Sequence, residues 1–216
     1  MMTLRALTPI LRPLARWYLS VQRSFQYKEI RVMVRPQVFH PGLFFSTRIL
    51  LDYLGLQDIK EARFLELGAG TGIISILAKN KGAKVTATDI NPLAIENIRD
   101  NCADNDIEIE VIQSNLFENV PSQTFDWIVI NPPYYPRNPQ NNRDYAWYCG
   151  ENHEFFRDLF SQLEHYIHPE TNCIMILSDQ CDIQKIKRIG ESNGFNFKEV
   201  YRRQKWGEWN FIYQVS

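Results

Sequence analysis

The chain predicts an α/β fold: a seven-stranded, mostly parallel sheet with helices on both faces, closed at one edge by an antiparallel hairpin. Three observations carry that reading. From Glu61 onward, short β-rich apolar runs alternate with segments of helical periodicity, the pattern that crossover connections turn into a parallel sheet. A glycine turn, Gly68-Ala69-Gly70-Thr71-Gly72, separates the first run from the first helix. Asn131-Pro132-Pro133-Tyr134 ends the fourth run abruptly.

The elements follow in order. Residues 63–67 read as a buried strand, and 73–79 as a helix closed by Gly82 in the C′ position. Residues 83–88 form the next strand, ending at Asp89; Asn91 and Pro92 then supply an N-cap and an N1 proline for a helix over 93–102. Strands are expected at 107–113 and 125–130. The second stops at once, because proline cannot donate to the ladder and restricts its neighbour. Residues 137–144, rich in Asn and Pro, read as a mobile loop over an acceptor site. Helical periodicity runs over 151–167 through Phe155, Leu159, Leu163 and Tyr166. A strand at 173–178 and a helix at 183–192, closed by Asn193-Gly194, lead to strands 195–201 and 210–215, joined by a turn near Trp206-Gly207.

At 216 residues and 44% apolar, the chain can bury a substantial core. No apolar stretch reaches the length of a membrane span, so no stable membrane insertion is expected. Cys102, Cys149, Cys173 and Cys181 form no Cys-x-x-Cys pair, and His40, His153, His165 and His168 show no metal-ligand spacing. No metal site is expected, and a reducing, cytoplasmic compartment is the simplest expectation. The N-terminus differs in character. Residues 1–50 carry eight basic side chains and one acidic, a net of +7, and the remainder sixteen and twenty-four, a net of −8. Leu4, Leu7, Leu11, Leu14 and Val21 fall near helical spacing, limited by Pro9 and Pro13. A helix packed on the domain, an arm for nucleic acid or an acidic partner, a membrane-surface helix and an organellar transit segment all fit that pattern. Residues 27–38 read as a hairpin or extended lid leading to Thr47. The expected division is a basic extension over 1–45 and an α/β domain over 46–216.

The strand, glycine turn and helix start form a nucleotide-binding unit, in which backbone approaches the ligand and free N–H groups point at it. A dinucleotide fingerprint would place its third glycine at position 73, which is Ile73. The spacing is instead Gly-x-Gly-x-Gly preceded by Glu66. Asp89, at the tip of the second strand, can accept both hydroxyls of a ribose or serve as an N-cap. Asn115 can meet an adenine edge, since its amide donates and accepts, or be a plain loop residue. Asn131-Pro132-Pro133-Tyr134 suits methyl transfer to a planar nitrogen, whose lone pair is delocalised. Asn131's side-chain oxygen and the Pro132 carbonyl could accept both N–H bonds while Tyr134 stacks on the planar group. The competing reading is a proline-terminated strand with a surface loop.

Taken together and in this order, Glu66 to Gly72, Asp89, Asn115 and the Asn-Pro-Pro-Tyr motif resemble the class I, Rossmann-like S-adenosylmethionine-dependent methyltransferases. Within that group the chain is most similar to the small HemK-type glutamine methyltransferases, over about residues 36–216. Val38-Phe39-His40-Pro41 to Thr47, Ala146-Trp147 with Gly150, and Arg203-Gln204 are weaker matches. Asn115 stands where the family has aspartate, Cys149 interrupts a glycine pair, and Tyr135-Pro136 replaces an aliphatic residue. The resemblance implies S-adenosyl-L-methionine as cofactor, held by Thr47, Glu66, Gly68, Ala69, Gly70, Thr71, Gly72, Asp89, Ile90, Asn115 and Asn131. It implies catalysis by Asn131, Pro132, Pro133 and Tyr134. The expected acceptor is an exposed glutamine of a protein, such as a translation factor. An adenine of RNA or DNA, stacked by Tyr134, Tyr135 and Trp147, is the alternative, and a cofactor binder without turnover is the third.

Overall fold

The computed structural model describes residues 21–216; the expected helix over the first twenty residues lies outside the described residues. A two-stranded antiparallel hairpin, β1 (Arg23–Tyr27) and β2 (Ile30–Val34), opens the described chain. The main sheet has seven strands: β3 (Arg63–Leu67), β4 (Lys84–Asp89), β5 (Glu110–Gln113), β6 (Trp127–Ile130), β7 (Asn172–Ser178), β8 (Phe197–Lys205) and β9 (Glu208–Val215). Their order is β5-β4-β3-β6-β7-β9-β8. Only β9 runs against its neighbours, so the terminal hairpin makes one edge antiparallel. The helices are α1 (Phe45–Gly55), α2 (Ile73–Asn80), α3 (Pro92–Asp104), α4 (Glu154–Leu163) and α5 (Ile183–Glu191).

Alternation along the central strands builds two cores. In β6, Trp127 and Val129 join the cluster formed with α1, α2 and α3, whereas Ile128 and Ile130 join the one formed with α4 and α5. In β7, Ile174 and Ile176 face the first cluster, and Cys173, Met175 and Leu177 the second. Strands buried on both faces read as unbroken apolar runs, which is why these were legible.

Several boundaries differ from expectation for local reasons. β6 starts at Trp127 because Phe125 and Asp126 are held elsewhere: Phe125 N donates to Tyr166 O, and the Asp126 carboxylate accepts from Arg63 N at 2.7 Å. β5 pairs only from Glu110, since Ile107 N still bonds Cys102 O at the end of α3. His153, with φ of 64°, breaks the helical run before α4, and the far end tightens into a 3-10 turn at Glu164–Tyr166. β8 and β9 are longer than expected. Trp206 and Gly207, at φ of 51° and 87°, make the two-residue turn whose twist suits a hairpin.

The β1–β2 hairpin is fastened by a ladder of asparagines on α3. Asn105 donates to Arg31 O at 2.8 Å, Asn101 exchanges bonds with Met33 N and O at 2.8 and 2.9 Å, and Asn97 accepts from Arg35 N at 3.0 Å. Four helical residues rise about 6 Å and two strand residues about 6.7 Å, so every fourth side chain meets every second strand residue. Arg35 adds ion pairs of 2.5 Å each to Glu96 and Asp100. Asn101 also donates to Thr71 O at 2.9 Å, joining the hairpin to the glycine turn.

Asn101 is fully buried, so Asn101→Ala should cost about 3 kcal/mol, given roughly 1–3 kcal/mol for each buried polar group left unpaired. Asn105→Ala, at the half-buried rim, should cost about 1 kcal/mol. Equal urea midpoints for the two variants would show that the ladder does not hold the hairpin.

Candidate active site

Parallel register sets the site. Leu67 pairs with Thr88 on one side and with Ile130 on the other, so β3 and β6 end level with each other and β4 ends one residue further on, at Asp89. Gly68, Asp89 and Asn131 therefore emerge at one carboxyl edge, where the chain's crossovers diverge and a crevice opens. A cavity of about 330 Å³ occupies it. It brings together the residues the sequence proposed for cofactor and catalysis, from Thr47 to Tyr134, with one correction: Gly72 does not line it, because that position packs against Ile98 of α3.

The glycine turn presents backbone. Gly68 has φ of 71°, and a Cβ there would meet no atom within 4 Å, so the space over it is open. Gly72 serves packing instead: at φ of 77°, its Cβ would press on Ile98 at 3.0 Å. Glu66 spans from β3 to the first turn of α2, accepting from Ser75 N at 2.8 Å and Ser75 Oγ at 2.5 Å. It lines the cavity and braces the helix start; Ser75 was not foreseen. Burial pushes the Glu66 carboxyl up to about 8, against the pull of the two Ser75 bonds.

Asp89 is braced too. Its Oδ2 accepts from Gly70 N at 2.8 Å and its Oδ1 from Asn91 N at 2.9 Å. Each oxygen keeps a further lone pair. Burial raises its pKa and these backbone bonds lower it. The N-cap role goes to Asn91, which accepts from Leu93 N at 3.0 Å. Asn115 is exposed at the rim and donates to Glu118 at 2.9 Å.

Asn131 Nδ2 reaches Thr47 Oγ1, buried in the first turn of α1, at 3.5 Å; Oδ1 has no hydrogen-bond donor among the described residues. Tyr134 and Tyr135 follow with ring centroids 4.9 Å apart, and burial raises both phenols. The loop after them is tied at its base: Tyr135 N donates to Trp147 O, and Cys149 N to Tyr135 O, both at 3.0 Å. Asp144 accepts within it from Gln140 N at 2.9 Å. Trp147 packs on Phe39 and Phe44 at 5.2 and 4.8 Å, an aromatic wall that sequence reasoning did not assemble. Gln37, Val38, Phe39 and Pro41 line the cavity, so the segment after the hairpin forms part of the site. The acidic side chains that line it are Glu66, Asp89, Glu154 and Asp158, and among the described residues no Lys or Arg joins them there.

The order of strands, the glycine turn at the switch point and the acidic second-strand tip define a Rossmann-like methyltransferase fold. Residues 29–147 match the methyltransferase small domain family, and the chain belongs to that family. A Methanocaldococcus jannaschii relative, named as an inferred protein N5-glutamine methyltransferase, is 40% identical over 53% of this chain and 56% of its own length. The ribosomal RNA small subunit methyltransferase C of Actinobacillus pleuropneumoniae is 31% identical over 52% of this chain and 35% of its own. The chain thus spans about half, or less, of these relatives. The Thermus thermophilus 16S rRNA N2 G1207 methyltransferase, in complex with AdoMet and guanosine, shares the fold. Its TM-score is 0.63 at 16% identity, over 90% of this chain and 50% of that one. The family is one of S-adenosyl-L-methionine-dependent methyltransferases, with that molecule as cofactor. The residues fit it: an open cradle at Gly68, a braced carboxylate at Asp89, and an anionic lining suited to a sulfonium. Among the described residues no helix is long and apolar enough to cross a membrane.

Asp89→Ala should weaken cofactor binding by about 1.5–3 kcal/mol, the range for a hydrogen bond to a charged group, as read by calorimetry. Glu66 gives a pH signature. Its folded pKa of about 8 lies above the ordinary 4.5, so its contribution to stability is full below 4.5 and lost as pH rises through 8. Glu66→Gln keeps an acceptor for Ser75 and should abolish that decline. Parallel urea midpoints for wild type and variant from pH 5 to 8.5 would refute the buried-carboxyl account.

Proposed function

We propose that the domain methylates the side-chain amide nitrogen of a glutamine in a protein, with the glycine turn, Glu66, Asp89, Ile90, Asn115 and Thr47 holding the cofactor. The observation that carries this reading is Asn131. It stands at the tip of β6, flush with the glycine turn, its Nδ2 toward Thr47 and its Oδ1 without a donor among the described residues. S-adenosyl-L-methionine, when bound, supplies a methyl group made electrophilic by its sulfonium.

The chain's own residues do the rest by alignment. Asn131 Oδ1 and the Pro132 carbonyl accept the two N–H bonds of the acceptor, drawing its nitrogen out of conjugation and aiming its lone pair. The double proline fixes these two oxygens relative to each other, so little is lost in ordering them. Tyr134 packs on the planar amide, and the Phe39–Phe44–Trp147 wall keeps water away.

A second reading, transfer to an adenine amino group in RNA, is favoured by exposed Tyr135 beside the motif and by the rRNA methyltransferase relative. Charge argues against it. A nucleotide brings phosphates to the cavity, and every titratable acid or base among the described lining side chains other than tyrosine and cysteine is a carboxyl, with no Lys or Arg to meet them.

Asn131→Ala should leave cofactor affinity nearly intact and lower transfer by about 10²–10³-fold, as removal of one transition-state hydrogen-bonding group does. Single-turnover assays with labelled cofactor and separate pools of protein, ribosomal RNA, transfer RNA and DNA test both points. Labelled adenine with no labelled protein would overturn the glutamine assignment.

A further inference from the structure

We propose that the groove between α4 and α5 docks an acidic stretch of the acceptor polypeptide, flanking the residue that enters the cavity. The inference rests on the protein-acceptor reading above. Arg157, Asp158 and Ser161 line the groove from α4, and Lys185, Arg188 and Asn193 line it from α5 and the turn beyond. The helices hold the sheet through other residues, Phe156, Leu159, Phe160 and Leu163 on α4 and Ile186 on α5, which leaves these polar side chains outward. Among the described residues, none of Arg157, Lys185 and Arg188 forms an ion pair. Three cations line the groove against one lining carboxylate, Asp158, with Glu154 a turn away attracting Arg157; the lining keeps a net positive charge that attracts an anionic ligand.

The groove's position ties it to the reaction. Asp158 lines both cavity and groove, Glu154 lines the cavity, and Ser161 lines the groove. Seven helical residues separate Glu154 from Ser161, a rise of about 10 Å that an extended chain covers in about three residues. Acidic residues about three to six positions from the acceptor would therefore reach the cations.

The same layout selects between polymers. A nucleic-acid strand running from cavity to groove would carry a phosphate at every step past Glu154 and Asp158. A polypeptide can be neutral there and acidic beyond.

The test uses the full chain and fluorescent peptides without glutamine: one with a run of glutamates, one with serines and one with lysines in their place. The acidic peptide should bind about tenfold tighter than the serine peptide. Arg157→Glu with Arg188→Glu should erase the difference and favour the lysine peptide, with cofactor affinity unchanged as the check on folding. Arg157→Gln with Arg188→Gln should show the loss without the reversal. Equal affinity for acidic and serine peptides would overturn the proposal. So would a short single-stranded RNA that binds where the acidic peptide does not and is lost in the same variants. Methyl transfer to glutamine peptides is scored separately. Charge-dependent binding without transfer to any of them would refute the acceptor reading while upholding an acidic-polypeptide groove.

Discussion

Everything chemical in this molecule depends on a matter of register. Because Leu67 stands level with both Thr88 and Ile130, the next residue of each chain segment, Gly68, Asp89 and Asn131, comes to one edge. A slip of one residue in either pairing would turn the tips of β4 or β6 to the opposite face. The register is in turn pinned by burial on both sides: β3 and β6 each commit side chains to both cores, and β4 commits Val85 and Ala87 to one core while burying Thr86 and Thr88 on its other face. Residues of the cavity that lie more than forty positions apart in the chain, such as Asp89 and Asn131, are brought to one edge through backbone hydrogen bonds rather than through contacts of their own.

The second support is polar. The asparagine ladder on α3 treats the outer edge of β2 as though another strand lay beside it, so the hairpin is docked through its backbone as well as through Tyr27, Ile30 and Val32 in the core. Through Thr71 O the same side chains steady the glycine turn, and through Gln37 O, which accepts from Asn91 at 3.1 Å, the following segment is held beside the cavity. The segment leading to the aromatic wall and the glycine turn are thus each held by an asparagine of α3 or its N-cap, Asn91 for the first and Asn101 for the second.

Much of this was legible because it is local. A glycine turn, a double proline after four buried β-formers, and an Asn-Pro helix start each state their conformation within a few residues, and the structure has them as expected. What stayed hidden is the product of long-range pairing. Asn97, Asn101 and Asn105 look like ordinary solvent-facing residues of a helix until β2 is laid against them; their spacing of four was the available signal. Ser75 lies in an apolar helix and shows its purpose only when Glu66 arrives from the strand. Phe39, Phe44 and Trp147, about a hundred residues apart, meet only in three dimensions. The exposed Arg, Gln and Lys of β8 hid the length of a strand whose partner, β9, supplies the apolar half.

The two cores on opposite faces of the sheet have a consequence for how the molecule can change over time. The hairpin, α1, α2 and α3 share one set of packed side chains, and α4 and α5 another, with the backbone of the sheet between them. Substitutions on the two sides are distant and share no partners, so their energetic effects add rather than couple. The half that carries the asparagine ladder and backs the glycine turn can stay fixed while the other is repacked, its helices reshaped and its charges redrawn. One ancestral scaffold can in this way acquire new clients without relearning how to hold its methyl donor.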